Sequence, residues 1–349
     1  VDRATALQYG CPVSAFATGT GLGSWPGTSA RAAAEVVVGE LGGGLAHLVE
    51  LPDRGVGADM IGRTGALLVD IALDTAPRGY RLVARPGAAS RRAVSLLGED
   101  IDALEEAWEI AGLRGSGHPV KVQAAGPLTL AAQLELANGH RAVTDPGAVR
   151  DLAASLAEGL AAHRADLVRR LDTEVFVQLD EPSLTAAVAG RLAGVTALTP
   201  VPPIEEAVAT TLLDGCAAAL QSDVLVHSCA PDIAWNVLQR SAITALALDC
   251  TALESSDYDQ IGAFIDSGRT VVMGVVPALA PARLPAVEEL ASAVAAITDR
   301  IGFGRSTLAE RVGVSPVCGL AGAGAAWART AVGLVRRVGE ALNDDLDAI

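Results

Sequence analysis

The stretch DVLVHSCAPDIAWNVLQRSAITALALDCTALESSDYDQIGAFIDSGRTVVMGV, residues 223–275, decides the fold. It holds three short apolar runs (223–228, 243–249 and 270–275), and each is followed by a segment with helical spacing. A strand that reaches the next strand through a helix predicts parallel pairing by right-handed crossovers. The pattern continues outward in both directions. Runs at 15–20, 46–51, 120–125, 174–180 and 312–318 bring the candidate strands to eight. Helices are predicted over 28–41, 58–74, 100–112, 129–137, 146–170, 204–219, 233–240, 257–267, 286–302 and 325–346.

Eight such repeats point to an α/β fold of the closed (β/α)8 TIM-barrel type, carried by residues 1–349 as one domain. Composition agrees: half the residues are hydrophobic but only 3% are aromatic, which suits a barrel filled by Val, Ile, Leu and small side chains. The doubly wound alternative needs G-x-G-x-x-G, and the glycines of Thr18-Gly19-Thr20-Gly21-Leu22-Gly23 do not have that spacing. Residues 75–99, rich in Arg, Gly and Pro, predict an exposed loop or hairpin inserted after the second helix. Arg78, Arg81, Arg85, Arg91 and Arg92 stand out there, and attraction of an anionic substrate is the sharper reading of them.

The charge balance, 26 Lys and Arg against 41 Asp and Glu, gives −15 and argues against a nucleic-acid partner. No run of about 18 apolar residues predicts a membrane span, and residues 1–10 show no basic-then-apolar leader, so a cytoplasmic protein is expected. Five cysteines, an odd set scattered along a long chain, fit reduced thiols better than a disulfide framework. Cys11 and Cys216 read as ordinary packed thiols, and Asp344, Asp345 and Asp347 as a solvated helix end. His47, His118, His140 and His163 lack paired ligand spacing and read as surface or capping residues.

The remaining thiols fall at strand ends. In Val226-His227-Ser228-Cys229 alternation puts His227 and Cys229 on one face, and imidazole with thiolate is a zinc-ligand pair. Cys318-Gly319 ends the eighth strand, and Asp249-Cys250 ends the sixth. His227, Cys229, Cys318 and Asp249 therefore form a candidate four-coordinate Zn2+ set, with Cys250 as the alternative fourth ligand because register by one residue is open. Asp180-Glu181-Pro182 ends the fourth strand in two acids, read as a site for an amine, a cation or a proton, or else as a solvated acidic loop or a cap on the next helix.

Gly21-Leu22-Gly23-Ser24-Trp25-Pro26-Gly27-Thr28 resembles the segment that opens the catalytic domain of cobalamin-independent methionine synthases. Gly126-Pro127-Leu128-Thr129, Gln178-Leu179-Asp180-Glu181-Pro182, His227-Ser228-Cys229 and Cys318-Gly319-Leu320 are similar to that family's G-P-x-T, D-E-P, H-x-C and C-G-L motifs, in the same order. The resemblance implies a barrel of the uroporphyrinogen decarboxylase/methionine synthase type. It also implies a zinc ion that holds homocysteine as a thiolate for methylation to methionine. It puts His227, Cys229 and Cys318 on the zinc ligands and Asp249 where the family has a glutamate. Asp180 falls on the acid that meets the substrate's amino group, and Leu22, Gly23 and Ser24 fall on the segment that holds its carboxylate.

Some positions depart from the family. In Gly274-Val275-Val276-Pro277-Ala278-Leu279-Ala280-Pro281, Leu279 stands where the family has the histidine taken as general acid toward the folate. The second substrate-binding glutamate has no clean match, since Glu50 is nearby but Arg54 and Gly55 occupy the closer positions. The amino-terminal half of the full-length enzymes is not represented, so a catalytic-domain homologue is expected. The methyl donor is thus a methylfolate or a methylated corrinoid (methylcobalamin or its carrier protein), the second needing no acid. The competing readings are a methyltransferase for another thiol, a non-catalytic zinc protein, and a porphyrinogen decarboxylase, which would need no zinc.

Overall fold

The computed structural model describes residues 13–196 and 198–344; Cys11, Asp345 and Asp347 lie outside them, as does the side chain of Asp344. Its strands are β1 (Ala46–His47), β2 (Ala72–Ala76), β3 (Gly79–Val83), β4 (Val120–Ala125), β5 (Leu134–Glu135), β6 (Val175–Asp180), β7 (Val224–Ser228), β8 (Ala245–Asp249), β9 (Thr270–Val276) and β10 (Val312–Pro316). Seven of them form one curled parallel sheet in the order β1-β4-β6-β7-β8-β9-β10. A TIM-barrel-like architecture results, with the helices packed outside the sheet.

The predicted first strand, 15–20, is not a strand but two isolated bridges. Gly19 pairs with Val314 of β10, and Thr20 pairs with Leu45 beside β1, so this segment joins the two edges of the sheet. Thr20 N–H donates to Val314 O at 2.9 Å, and Val314 N–H to Thr18 O at 3.0 Å. Its brevity has local causes. Ala17 N–H turns back onto Ser14 O, and Gly19 lies so close to helix Ala325–Asp344 that a Cβ would sit 2.5 Å from Val335 O.

The helix predicted over 58–74 is also corrected. Asp59 caps a short helix, Met60–Gly65, by accepting from Ile61 and Gly62 N–H, after which the chain turns through Asp70 at φ 57°. It then enters the antiparallel hairpin β2–β3, whose second strand pairs with β5. The expected insertion is therefore a hairpin that starts at Ala72, while 88–99 belongs to helix Ala88–Ile110. Its arginines are partly committed to the fold: Arg78 binds Glu135 at 2.5 Å, and Arg92 donates to the carbonyls of Arg54 and Val56. Tyr80 ties the hairpin to the chain before the short helix. Its hydroxyl accepts from Gly57 N–H at 2.7 Å and donates to Asp59.

Alternation along the strands sorts two cores. On β6, Val175, Val177 and Leu179 face the helices, while Phe176, Gln178 and Asp180 point into the barrel. Phe176 joins Phe16, Leu45, Leu225, Ala245, Ala247 and Val272 in an apolar plug, with the rings of Phe16 and Phe176 centred 5.3 Å apart. Each of the Phe, Leu and Val side chains among them contributes about 1.5–3 kcal/mol when fully buried. Next to this plug, toward the carboxyl ends of the strands, the inward positions turn polar, and there the candidate site lies. Among the described residues no helix is long and apolar enough to cross a membrane.

Candidate active site

β7 carries His227 inward near its end and delivers Cys229 one step beyond; Cys318 follows the end of β10 by two residues. The ligand atoms of His227, Cys229 and Cys318 all lie within 4.8 Å of one another, and the two Sγ atoms are 3.0 Å apart. His227 Nδ1 meets Asp180 Oδ1 at 2.7 Å, which leaves Nε2 as the atom turned to the sulfurs, and this buried nitrogen has no hydrogen-bond partner. A carboxylate on one imidazole nitrogen with the other nitrogen bare is the arrangement of metal-ligating histidines. Two sulfurs and one imidazole suit zinc.

The electrostatics of the set follow from its geometry. Burial opposes a charged His227 ring, but Asp180 and Cys318 outweigh it and raise its pKa to about 9. The hydrogen bond from Cys229 and the His227 ring lower Cys318 to about 4, and that same sulfur contact, with burial, pushes Cys229 up. Without a metal, the site balances a thiolate against an imidazolium; a cation bound there displaces protons.

The two adjacent acids of the D-E-P motif part company. Asp180 points into the barrel, where its Oδ1 also accepts from Gln178 Nε2 at 2.7 Å. Glu181 points away and is fully buried. Its Oε1 accepts from Leu128 N–H at 2.9 Å, and its Oε2 from Thr129 N–H at 2.8 Å and Thr129 Oγ1 at 2.7 Å. Glu181 thus caps helix Pro127–Gln133 from outside, and the G-P-x-T turn is its receptor. A Cβ at Gly126 would sit 2.3 Å from Glu181 Oε1. Burial raises Glu181 to about 7 against the pull of these three donors.

A cavity of about 260 Å³ opens over the set, lined by Leu22, Ser24, Glu50, Asp180, His227, Cys229 and Cys318 among others. Four successive carbonyls of its Gly21–Ser24 wall are tied down. Gly21 O accepts from Lys121 Nζ at 2.8 Å, Leu22 O from Gln178 Nε2 at 3.1 Å, Gly23 O from Glu50 N–H at 3.1 Å and Ser24 O from Leu320 N–H at 2.9 Å. Gly23 sits at φ 110°, a conformation that favours glycine. Gly319 packs so closely that a Cβ on it would lie 2.0 Å from Ser24 Oγ.

Glu50 is the site residue that sequence reasoning left unassigned. It is buried in the cavity wall with Arg63 Nε 3.7 Å from Oε1, and burial, only partly offset by Arg63, raises it to about 7. Arg54 pairs instead with Asp100, at 2.6 Å, as does Arg63. The bridge between Ser24 and Glu50 is the missing signal, because β1 ends at His47 and simple alternation does not reach Glu50. His47 also departs from expectation. It is buried inside the barrel against Gly21, and burial holds its pKa well below the usual value.

Asp249 is not brought into the converging set. Its Oδ1 accepts from Thr251 N–H at 2.8 Å and Thr251 Oγ1 at 2.6 Å, capping a 3-10 turn that starts at Cys250. The Cys250 thiol is pushed up to about 12 by burial. Leu279, in the loop after β9, is 61% exposed.

Comparison with known proteins adds an independent line. The sequence profile described as "Cobalamin-independent synthase, Catalytic domain" matches residues 16–341. No curated relative matches the sequence. Among solved structures, a methyltransferase from Methanosarcina mazei is 14% identical, covering 90% of this chain and 83% of its own, with a TM-score of 0.50. A B12-independent methionine synthase from Shewanella sp. W3-18-1, in complex with selenomethionine, is 17% identical, covering 72% and 67%, with a TM-score of 0.48.

Proposed function

Because the chain belongs to the cobalamin-independent synthase family and is a methyltransferase of that type, we propose that it transfers a methyl group to the thiol of homocysteine, giving methionine, with zinc as its metal. One observation carries this reading: the bare His227 Nε2 converges with two cysteine sulfurs in the wall of a cavity of about 260 Å³, room enough for an amino acid. His227, Cys229 and Cys318 would hold the ion, with the fourth position for the substrate sulfur. Asp249 would join them only by releasing Thr251. A zinc ion there keeps a bound thiol deprotonated at neutral pH.

The chain's own residues then orient the substrate. Ser24 Oγ and the N–H groups of Leu22, Gly23 and Ser24, on a segment whose carbonyls are all committed, receive its carboxylate. Glu50 and the second oxygen of Asp180 receive its ammonium. In the transfer the substrate sulfur forms the new S–CH3 bond as the donor–CH3 bond breaks, and the donor's leaving group keeps the electron pair. Leu279 cannot protonate that leaving group, which favours a methylated corrinoid over a methylfolate as donor. We place the reaction in the cytoplasm, where thiols stay reduced, and assign the acidic chain no nucleic-acid role.

Metal analysis of the wild type and of Cys229→Ser and Cys318→Ser is the test. About one zinc per chain, lost in both variants, is expected. Freshly reduced wild-type protein without zinc would overturn the reading. Assays with methylcobalamin and methylfolate side by side decide the donor, and turnover with the folate alone would reject the corrinoid.

A further inference from the structure

Lys121 on β4 and Gln178 on β6 are both fully shielded from solvent inside the barrel, and no step above uses them. A buried lysine is costly to keep unless its position matters. Burial lowers its pKa to about 7 against the pull of Asp180 and Glu50. As ammonium or as amine, Nζ carries at least two N–H groups, and its two contacts are acceptors, Gly21 O and Gln178 Oε1.

The polarity of the next links follows. With its oxygen committed to Lys121, Gln178 must turn Nε2 toward Asp180 Oδ1 and Leu22 O, neither of which can donate. A flipped amide would set oxygen against oxygen at Asp180 and Leu22, and N–H against N–H at Lys121 when that residue is an ammonium. Asp180 Oδ1 is thereby held against His227 Nδ1, which must supply the proton of that contact. With a cation bound the ring is neutral and has one N–H, so Nε2 is left with its lone pair toward Cys229 and Cys318.

We propose that Lys121 and Gln178 are positioning residues: through Asp180 they keep the proton of His227 on Nδ1, and they tether the carbonyls of Gly21 and Leu22 in the same network. One buried chain of hydrogen bonds therefore sets both the metal-binding nitrogen and the substrate-binding segment. The inference rests on the zinc reading given above.

The test is zinc affinity, measured by competition with a chromophoric chelator, for the wild type, Gln178→Glu, Lys121→Met and the double variant, with thermal melting of each. Gln178→Glu keeps the shape and gives Lys121 a charge partner, so the fold is retained, but it removes the N–H groups that Asp180 and Leu22 O receive. Each single variant is expected to bind zinc about 10–100-fold more weakly, the range for groups that orient a metal ligand. If Lys121 acts through Gln178, Lys121→Met adds less than about twofold on the Gln178→Glu background. Affinity within about twofold of wild type in Gln178→Glu, or in a folded Lys121→Met, overturns the inference and leaves the proposed function standing. Wild-type protein that takes no zinc overturns both.

Discussion

Neighbouring strand ends of the same barrel mouth are used differently. Where β6, β7 and β10 end, Asp180, His227, Cys229 and Cys318 are buried or half-buried, hydrogen-bonded in two pairs, and lie on the strands or within two residues of their ends. Between β7 and β10 in the sheet, Asp249 at the end of β8 is spent on a local turn, and the loop after β9 leaves Leu279 61% exposed. Strand ends fix side chains through the sheet's own hydrogen bonds, whereas loops tolerate change. On the proposed function, the difference teaches that the part that would hold the thiol is buried and tied to strand ends, whereas the part that would face the donor is exposed loop.

The comparison breaks most sharply at the thiols. Cys229→Ser or Cys318→Ser should weaken zinc binding by more than the 10–100-fold or so typical of outer groups, read by chelator competition. Glu50 sharpens it through pH. Its folded-state pKa of about 7 exceeds the usual 4.5, so below 4.5 it is protonated in both states, stability falls as pH rises toward 7, and above 7 the loss is complete. The cost amounts to about 3 kcal/mol at most. Glu50→Gln should remove that dependence in denaturation at pH 5 and 8, and weaken methionine binding at pH 8.

Glu181→Gln, which puts an amide N–H against donors of Leu128 or Thr129, should cost about 2 kcal/mol in chemical denaturation. Zinc stoichiometry should stay unchanged, which would separate the structural acid from its functional neighbour. Asp249→Ala should cost about 1 kcal/mol as a lost cap and leave zinc affinity within about threefold; a larger affinity loss would bring Asp249 back as a ligand. Leu279→Ala should alter stability by no more than about 0.5 kcal/mol, as for exposed positions generally.

Much of the thiol half was legible because alternation is a strong rule on a strand. His227 and Cys229 could be paired from spacing alone, and the order of the short motifs located Cys318 and Asp180. What escaped the sequence depends on contacts across the barrel. Glu50 lies past the end of a two-residue strand, so its direction is set by Ser24 rather than by period. His47 and Lys121 look like surface residues by type, and only the closed sheet shows that they face inward. The helix expected over 58–74 failed because Ala, Leu, Val and Ile near 66–72 suit either a helix end or a strand, and a left-handed Asp70 decided for the turn. Glu181 was open between a catalytic and a capping role until its three donors were seen.

The seam that closes the barrel has a consequence for how the molecule is made. Thr20 must meet Val314, and Ser24 must meet Leu320, before the sheet is continuous, so closure joins segments that are far apart in sequence. During synthesis the cavity wall at 21–24 leaves the ribosome before Cys318 and Gly319 and waits for them. A chain that stops short of Cys318 holds only one of the two sulfurs, and the complete His227, Cys229 and Cys318 set is therefore a mark of a closed barrel.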